Sequence, residues 1–223
     1  MQKAFPKIII ITGHYGSGKT NVSVNIALDL AKRGEKVTVI DLDIVNPYFR
    51  TADFEELFSS KNIALKSPLY ANSNLDIPAL NYDISSIINQ EGYVVIDVGG
   101  DDAGATALGR YADILSKRDD ASMFYVVNRF RYLTREPEEA LLLMRDIEAA
   151  SQLRCKGIIN NSNLGELTEK NTVVEGQKYA KEIAKAAQLP LVMNCAQKRF
   201  LEGIDNPYEI DIFVKPIWEK ENI

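Results

Sequence analysis

Gly13-His14-Tyr15-Gly16-Ser17-Gly18-Lys19-Thr20 fits the pattern G-x-x-x-x-G-K-[ST] in full. Glycines in such a loop let backbone N–H groups converge on phosphate oxygens where a Cβ would obstruct them. Lys19 is placed to reach the β- and γ-phosphates of a nucleoside triphosphate, and the Thr20 hydroxyl to ligate Mg²⁺. Asn21 continues the loop into a helix, whose first N–H groups and dipole add partial positive charge. All eight loop residues and Asn21 are therefore candidate nucleotide contacts, with Lys19 also acting on the transition state. Carboxylates follow at two further places. Asp41-Leu42-Asp43 puts two of them on one side of an extended chain. Asp97-Val98-Gly99-Gly100 is a D-x-x-G pattern, in which the carboxylate holds Mg²⁺ through water and the glycine N–H senses the γ-phosphate. We assign Asp97 to the metal shell and Gly100 to γ-phosphate sensing. Asp43 is placed to orient or deprotonate an attacking water, and it counts with Thr20 and Asp97 among the metal-shell candidates. The plainer reading of Asp41 and Asp43 is that they cap the next turn. Asp101 and Asp102 read as solvated loop charges.

The elements around these residues set where they meet. Lys7-Ile8-Ile9-Ile10-Ile11-Thr12 is a β-branched run of the kind buried in a parallel sheet, and residues 21–33 read as a helix ended by Gly34. Further strands are expected at 36–41, 93–97, 122–128, 155–160 and 190–193. Helices are expected at 105–117, at 137–151 (opening with Thr134-Arg135-Glu136-Pro137) and at about 172–187. The stretch 53–89 is the hardest to read, with a short helix near 54–59, a strand near 63–65 and a helix near 84–88. Strand and helix alternate, so the expectation is an α/β fold with a mostly parallel central sheet and helices on both faces. Ligands of such sheets lie beyond the carboxyl ends of the strands. The loop, Asp41 to Asp43, Asp97 to Gly100, Asn128, Asn160 to Asn163 and Asn194 to Gln197 all fall at such ends.

At 223 residues the chain suits one domain, 1–223. No apolar run approaches the ~20 residues of a membrane helix, and the start of the chain leaves no room for a signal peptide ahead of the first strand. Two cysteines, one histidine and no C-x-x-C argue against a zinc or iron–sulfur site within one subunit and suit the reducing cytoplasm. The net charge of −5 gives no global pull toward nucleic acid. Arg129, Arg131 and Arg135, interleaved with Phe130 and Tyr132, read as an exposed loop. Near the C-terminus Pro216 interrupts any long amphipathic helix, and Asp211, Glu219 and Glu221 oppose an anionic membrane. That tail is expected to dock on the core, with Trp218 its aromatic. Neither nucleic acid nor membrane is expected as a partner.

With these residues in place, the chain resembles the MinD/ParA branch of P-loop ATPases, the CobQ/CobB/MinD/ParA nucleotide-binding domain. The resemblance runs through Ile10 to Thr20, the strand 36–41 ending in Asp41-Leu42-Asp43, the segment 93–100 and the Gly157-Ile158-Ile159-Asn160-Asn161 strand end. It implies the three-layer P-loop NTPase fold, ATP and Mg²⁺ as ligands, and slow hydrolysis that serves a nucleotide-dependent switch with a protein partner. By position Asp43 inherits the family's hydrolytic aspartate. Asn161, with Asn160 close behind, inherits its adenine-reading asparagine. The family's loop carries a lysine that crosses a dimer interface, and here His14 stands at that position, which bears on whether a homodimer forms.

Two other readings stay open. The loop is also similar to that of nickel-insertion GTPases, metallochaperones that read guanine through N-K-x-D. This chain has Asn160-Asn161-Ser162-Asn163, with no lysine and no aspartate there, so ATP is favoured. ATP-dependent ligases and amidases share the fold as well. For such an enzyme the segment Asn46-Pro47-Tyr48-Phe49-Arg50-Thr51 would grip a carboxylate through Arg50, whereas in a switch protein it is a γ-phosphate-sensing loop.

Overall fold

The computed structural model describes residues 3–43, 51–67, 83–100 and 102–214. The β-branched run forms strand β1, Ile8–Gly13, buried along its whole length. Helix α1 follows at Lys19–Lys32, then β2 at Val37–Leu42, a 3₁₀ turn at Thr51–Phe54, α2 at Glu55–Ser60 and β3 at Ala64–Lys66. Next come α3 at Ile84–Ile87, β4 at Tyr93–Val98, α4 at Asp102–Gly109, α5 at Ala112–Leu115 and β5 at Ala121–Val127. The chain continues through α6 at Pro137–Ser151, β6 at Cys155–Asn160, α7 at Lys170–Ala187, β7 at Leu191–Ala196 and β8 at Pro207–Glu209.

The strands form one sheet in the order β3-β2-β4-β1-β5-β6-β7-β8, and every pairing between described strands is parallel. Because strand side chains alternate, each run of apolar residues feeds two cores. Ile8 and Ile10 of β1 face a layer built by α3 to α7, with Leu108, Met144, Ile147, Tyr179 and Ile183 packed against them. Ile9 and Ile11 face α1 and α2 on the other side, through Val22, Ile26, Leu30 and Phe58. This is the three-layer arrangement that the alternating sequence implies.

β1 sits between β4 and β5, while β2 lies on the far side of β4. The connection leaving β1 runs to β2 toward one edge of the sheet, while that leaving its neighbour β5 runs to β6 toward the other. Such a reversal opens a crevice at the carboxyl end of β1, and the glycine loop leaves the sheet there.

Local chemistry explains the element ends, including those that differ from expectation. α1 starts after Gly18 at φ 87 and stops at Gly34, φ 84. Both are left-handed backbone positions, where glycine avoids a Cβ penalty. α6 opens at Pro137 behind a capping box in which Glu136 and Glu139 satisfy each other's backbone. Thr134 instead lies buried before the helix. The single helix expected at 105–117 is corrected to two, α4 and α5, broken after Gly109. There α4 passes so close to the end of α6 that a Cβ on Gly109 would lie 2.8 Å from the Ala150 carbonyl oxygen.

Candidate nucleotide site

The glycine loop is folded against its neighbours by contacts that its small residues permit. A Cβ on Gly13, at φ 152, would lie 2.4 Å from the Val126 carbonyl oxygen of β5. The Ser17 N–H donates to the His14 carbonyl at 3.1 Å and closes the turn. From the end of β6, the Asn161 side-chain N–H₂ donates to the Ser17 carbonyl at 2.9 Å. A Cβ on Gly18 would come within 2.1 Å of that same Asn161 nitrogen. Loop and β6 end thus interlock at Gly18, and any side chain there would separate them.

Beneath the loop lies a compact polar cluster. Lys19, Asp41, Asp43 and Asp97 are all buried. The Thr20 hydroxyl donates to Asp97 Oδ2 at 2.8 Å, and the Ser23 hydroxyl to Asp97 Oδ1 at 3.2 Å. Burial, reinforced by the charge on Asp41 and less by Asp43, pushes the Asp97 carboxyl up to about 7, although Lys19 and the Thr20 hydrogen bond pull the other way. A divalent cation beside such a group would favour its carboxylate form. The Lys19 ammonium donates to the His14 carbonyl at 3.3 Å. His14 is held below the usual imidazole range by its partial burial and then by Lys19, so it is neutral at neutral pH. Asp41 Oδ1 accepts the Asp43 N–H at 2.9 Å, which is the turn-capping role for Asp41. Gly100 sits directly opposite: a Cβ there would lie 2.7 Å from Lys19 Nζ and 2.7 Å from the Tyr15 nitrogen.

The cluster fits Mg²⁺ and a phosphate chain by its chemistry. Thr20 and Asp97 offer adjacent hard oxygens, and Mg²⁺ bound to a nucleotide needs only one or two from the protein. Among the described residues no group of three or more His, Cys, Asp or Glu side chains could hold a metal by itself. Ser17 Oγ, Thr12 Oγ1, Asn128 Nδ2 and Asn161 Oδ1 are buried at this end of the sheet with no hydrogen-bond partner. Buried polar atoms without partners are costly, so such a gathering is expected where a polar ligand binds. A separate cavity of about 440 Å³ lies between α6 and α7, near Met144, Glu148 and Cys155. It is at the amino end of β6, away from the loop.

The structure sorts the remaining expected contacts. Both ends of the Asn160 amide are engaged internally, donating to Asn194 Oδ1 at 2.8 Å and accepting from the Ser162 N–H at 3.0 Å. Asn161 Oδ1 is the unengaged amide atom of the pair. The Asn21 side chain turns away from the loop to hold the C-terminal segment, donating to the Asp211 carbonyl at 3.0 Å and accepting from Phe213 N at 2.8 Å. What Asn21 leaves to the loop is its backbone N–H, which has no acceptor in the first turn of a helix. The expected docking of the tail is thus seen for residues 211–214. Pro216, Trp218, Glu219 and Glu221 lie outside the described residues, as do Asp101 and the segment 46–50 that includes Arg50. Ser23 is a site residue that motif reading missed. The signal for Ser23 was a hydroxyl three residues after Thr20, on the same helix face.

A family model for the CobQ/CobB/MinD/ParA nucleotide binding domain matches residues 8–183. The chain belongs to that family. The match begins with β1 and takes in the loop, the D-x-D turn, Asp97 and the β6 end. A curated relative, the cytosolic Fe-S cluster assembly factor CFD1 of Yarrowia lipolytica, is 33% identical over 85 residues, 35% of this chain and 28% of that protein. Among solved structures, the cell division protein FtsY of Thermotoga maritima superposes with a TM-score of 0.54 at 19% identity, covering 86% of this chain and 61% of that one. The signal recognition particle 54 kDa protein of Aeropyrum pernix, in complex with GDP, gives 0.51 at 15% identity over 86% and 41%. Each is longer than the region shared, and at these identities the structural likeness shows the fold: an α/β P-loop fold. No helix of the described residues is long and apolar enough to cross a membrane.

Proposed function

We propose that this member of the CobQ/CobB/MinD/ParA family binds Mg²⁺–ATP as one nucleotide-binding domain, hydrolyses it slowly and acts as a γ-phosphate-dependent switch for a protein partner in the cytoplasm. The observation that carries the proposal is the Thr20–Asp97 hydrogen bond beneath a glycine loop whose lysine is buried beside three carboxylates. In this reading the N–H groups of residues 13–21 and the Lys19 ammonium hold the phosphates. Thr20 and Asp97 hold Mg²⁺, with Asp43 close to the same shell. When bound, Mg²⁺ neutralises charge on the β- and γ-phosphate oxygens. Asp43 orients the attacking water and accepts its proton. Gly100, packed against Lys19 and Tyr15, registers the γ-phosphate through its N–H.

Adenine is favoured over guanine because residues 160–163 bring amides and a hydroxyl in place of the carboxylate that would accept from guanine N1 and N2. Asn161 Oδ1, buried and unpartnered, is the acceptor suited to an adenine amine. A neutral His14 gives a nucleotide-bridged homodimer little charge at that position. The ligase or amidase alternative depends on Arg50, outside the described residues.

Turnover separates the switch from the second-substrate enzyme. Phosphate release from Mg²⁺–ATP by the purified chain is expected at a low basal rate with no small-molecule acceptor present. Hydrolysis that is silent until a carboxylic acid or amine is added, and then yields a covalent product, would contradict the switch.

A further inference from the structure

Arg131 belongs to the loop after β5, far in sequence from the glycine loop, yet its side chain lies across Gly16. A Cβ built on Gly16 would stand 3.6 Å from Arg131 Cδ and 3.7 Å from its Nε. A side chain begun at Gly16 would thus be in ordinary van der Waals contact with the arginine stem. Gly16 has φ 75 and borders Tyr15, whose backbone abuts Gly100 and, through it, Lys19. The Arg131 side chain thus lies beside the Gly16 turn of the phosphate cradle.

Two further features bear on this arginine. Arg33, Arg118 and Arg154 pair with Asp29, Asp120 and Glu148, and Arg129 lies over the Tyr179 ring. Arg131, like Arg110, Arg135 and Arg145, has neither a carboxylate nor a ring partner for its guanidinium among the described residues. Its backbone, by contrast, is firmly held. Arg131 N–H donates to the Asn128 carbonyl at 3.3 Å, and Thr134 N–H donates to the Arg131 carbonyl at 3.3 Å. The buried Thr134 hydroxyl donates to the Asn128 carbonyl at 3.1 Å, and Asn128 Oδ1 accepts Phe130 N–H at 3.0 Å. Tyr179 donates its hydroxyl to the Thr134 carbonyl from α7. The loop keeps its shape even with Leu133 at φ 67, a left-handed conformation that costs a branched residue roughly 1 kcal/mol. A fixed backbone carrying an unpaired planar cation is suited to phosphate oxygens, which a guanidinium meets bidentately.

The charge balance asks for such a group. Within residues 13–20 the only lysine or arginine is Lys19, and it faces Asp41, Asp43 and Asp97 as well as the incoming polyphosphate. We propose that Arg131 is a second phosphate-binding cation of this site, closing over Gly16 to bind non-bridging oxygens of the β- and γ-phosphates. This rests on the reading of the loop as a nucleotide site. It assigns to the chain itself a second positive charge at the phosphates.

Competition binding on the full chain tests it, with Mg²⁺–ATP, Mg²⁺–ADP and AMP displacing a fluorescent ATP analogue. Arg131→Ala and Arg131→Gln are expected to weaken ATP and ADP about 10- to 100-fold, the scale of one charged hydrogen bond. AMP should change less than about twofold, and Arg131→Lys should recover part of the loss, because an ammonium keeps the charge without the fork. Arg135→Ala removes an exposed charge from the same loop and should bind like the unmodified chain. ATP affinity within about twofold of the unmodified chain in both Arg131 variants, or an equal loss in Arg135→Ala, would overturn the assignment while leaving the nucleotide site intact. No ATP binding by the unmodified chain would overturn both together.

Discussion

Asp43→Asn is expected to bind Mg²⁺–ATP within a few-fold of the unmodified chain and to hydrolyse it roughly 10²–10⁴ times more slowly, the range attributed to a positioned general base. The separation of binding from rate follows from where the carboxylate stands. Asp43 is buried just beyond β2, at the carboxyl end of the sheet, and its own N–H is fixed by Asp41 Oδ1. Asp41 thus fixes the turn that presents Asp43. The hydrogen bond to the Thr20 hydroxyl belongs instead to Asp97, so loss of the Asp43 charge leaves the metal position standing. Mg²⁺ titrations at fixed ATP distinguish the two carboxylates, because the Asp97 substitution should change the Mg²⁺ requirement far more than the Asp43 one. Should Asp43→Asn turn over like the unmodified chain, Asp43 is structural. The catalytic carboxylate must then be sought in Asp102, at the start of α4, or on a partner.

Lys19→Ala should weaken binding and turnover together. A charge-assisted hydrogen bond to phosphate is worth about 1.5–3 kcal/mol, which is roughly a 10- to 100-fold loss of ATP affinity. Lys19 also stands among the buried carboxylates and, with the Thr20 hydrogen bond, draws the Asp97 pKa down. Its removal leaves those carboxylates with less compensation, so Asp97 should hold its proton more tightly and release it less readily to Mg²⁺. Calorimetric titration of the variant with Mg²⁺–ATP measures the loss. Affinity within about twofold of the unmodified chain would mean that Lys19 does not touch the phosphates.

Much of this site can be read from the sequence because its parts are local or obey a period. The glycine loop lies between a β-branched strand and an amphipathic helix within about 25 residues, a length over which pattern and geometry coincide. Helix α6 begins and ends where its capping and periodicity place it, since Glu136, Pro137 and Glu139 form a local start signal. Asp97 stands at a strand end, where the parallel sheet brings it under Thr20 without further information. Features made by contacts distant in sequence were not legible. The break after Gly109 depends on the approach of α6, and a glycine inside an apolar pattern does not announce its neighbour. Strand β8 is three residues long and begins with a proline, too short for any alternation to register. Asn21 belongs to the motif by sequence, but its side chain is claimed by a tail about 190 residues away. The same holds for Asn160 and Asn161. Adjacent and identical, they differ only in that alternation turns one inward toward Asn194 and the next toward Ser17.

The central claim, a Mg²⁺–ATP site on the glycine loop, is tested most directly by calorimetric titration of the unmodified chain with ATP and with GTP, each with and without Mg²⁺. The account predicts saturable binding of ATP at one site per chain, strengthened by Mg²⁺ and tighter than binding of GTP. Equal or tighter binding of GTP would contradict the adenine assignment of Asn161 and restore the metallochaperone-like GTPase reading, and no binding of either nucleotide would contradict the site itself.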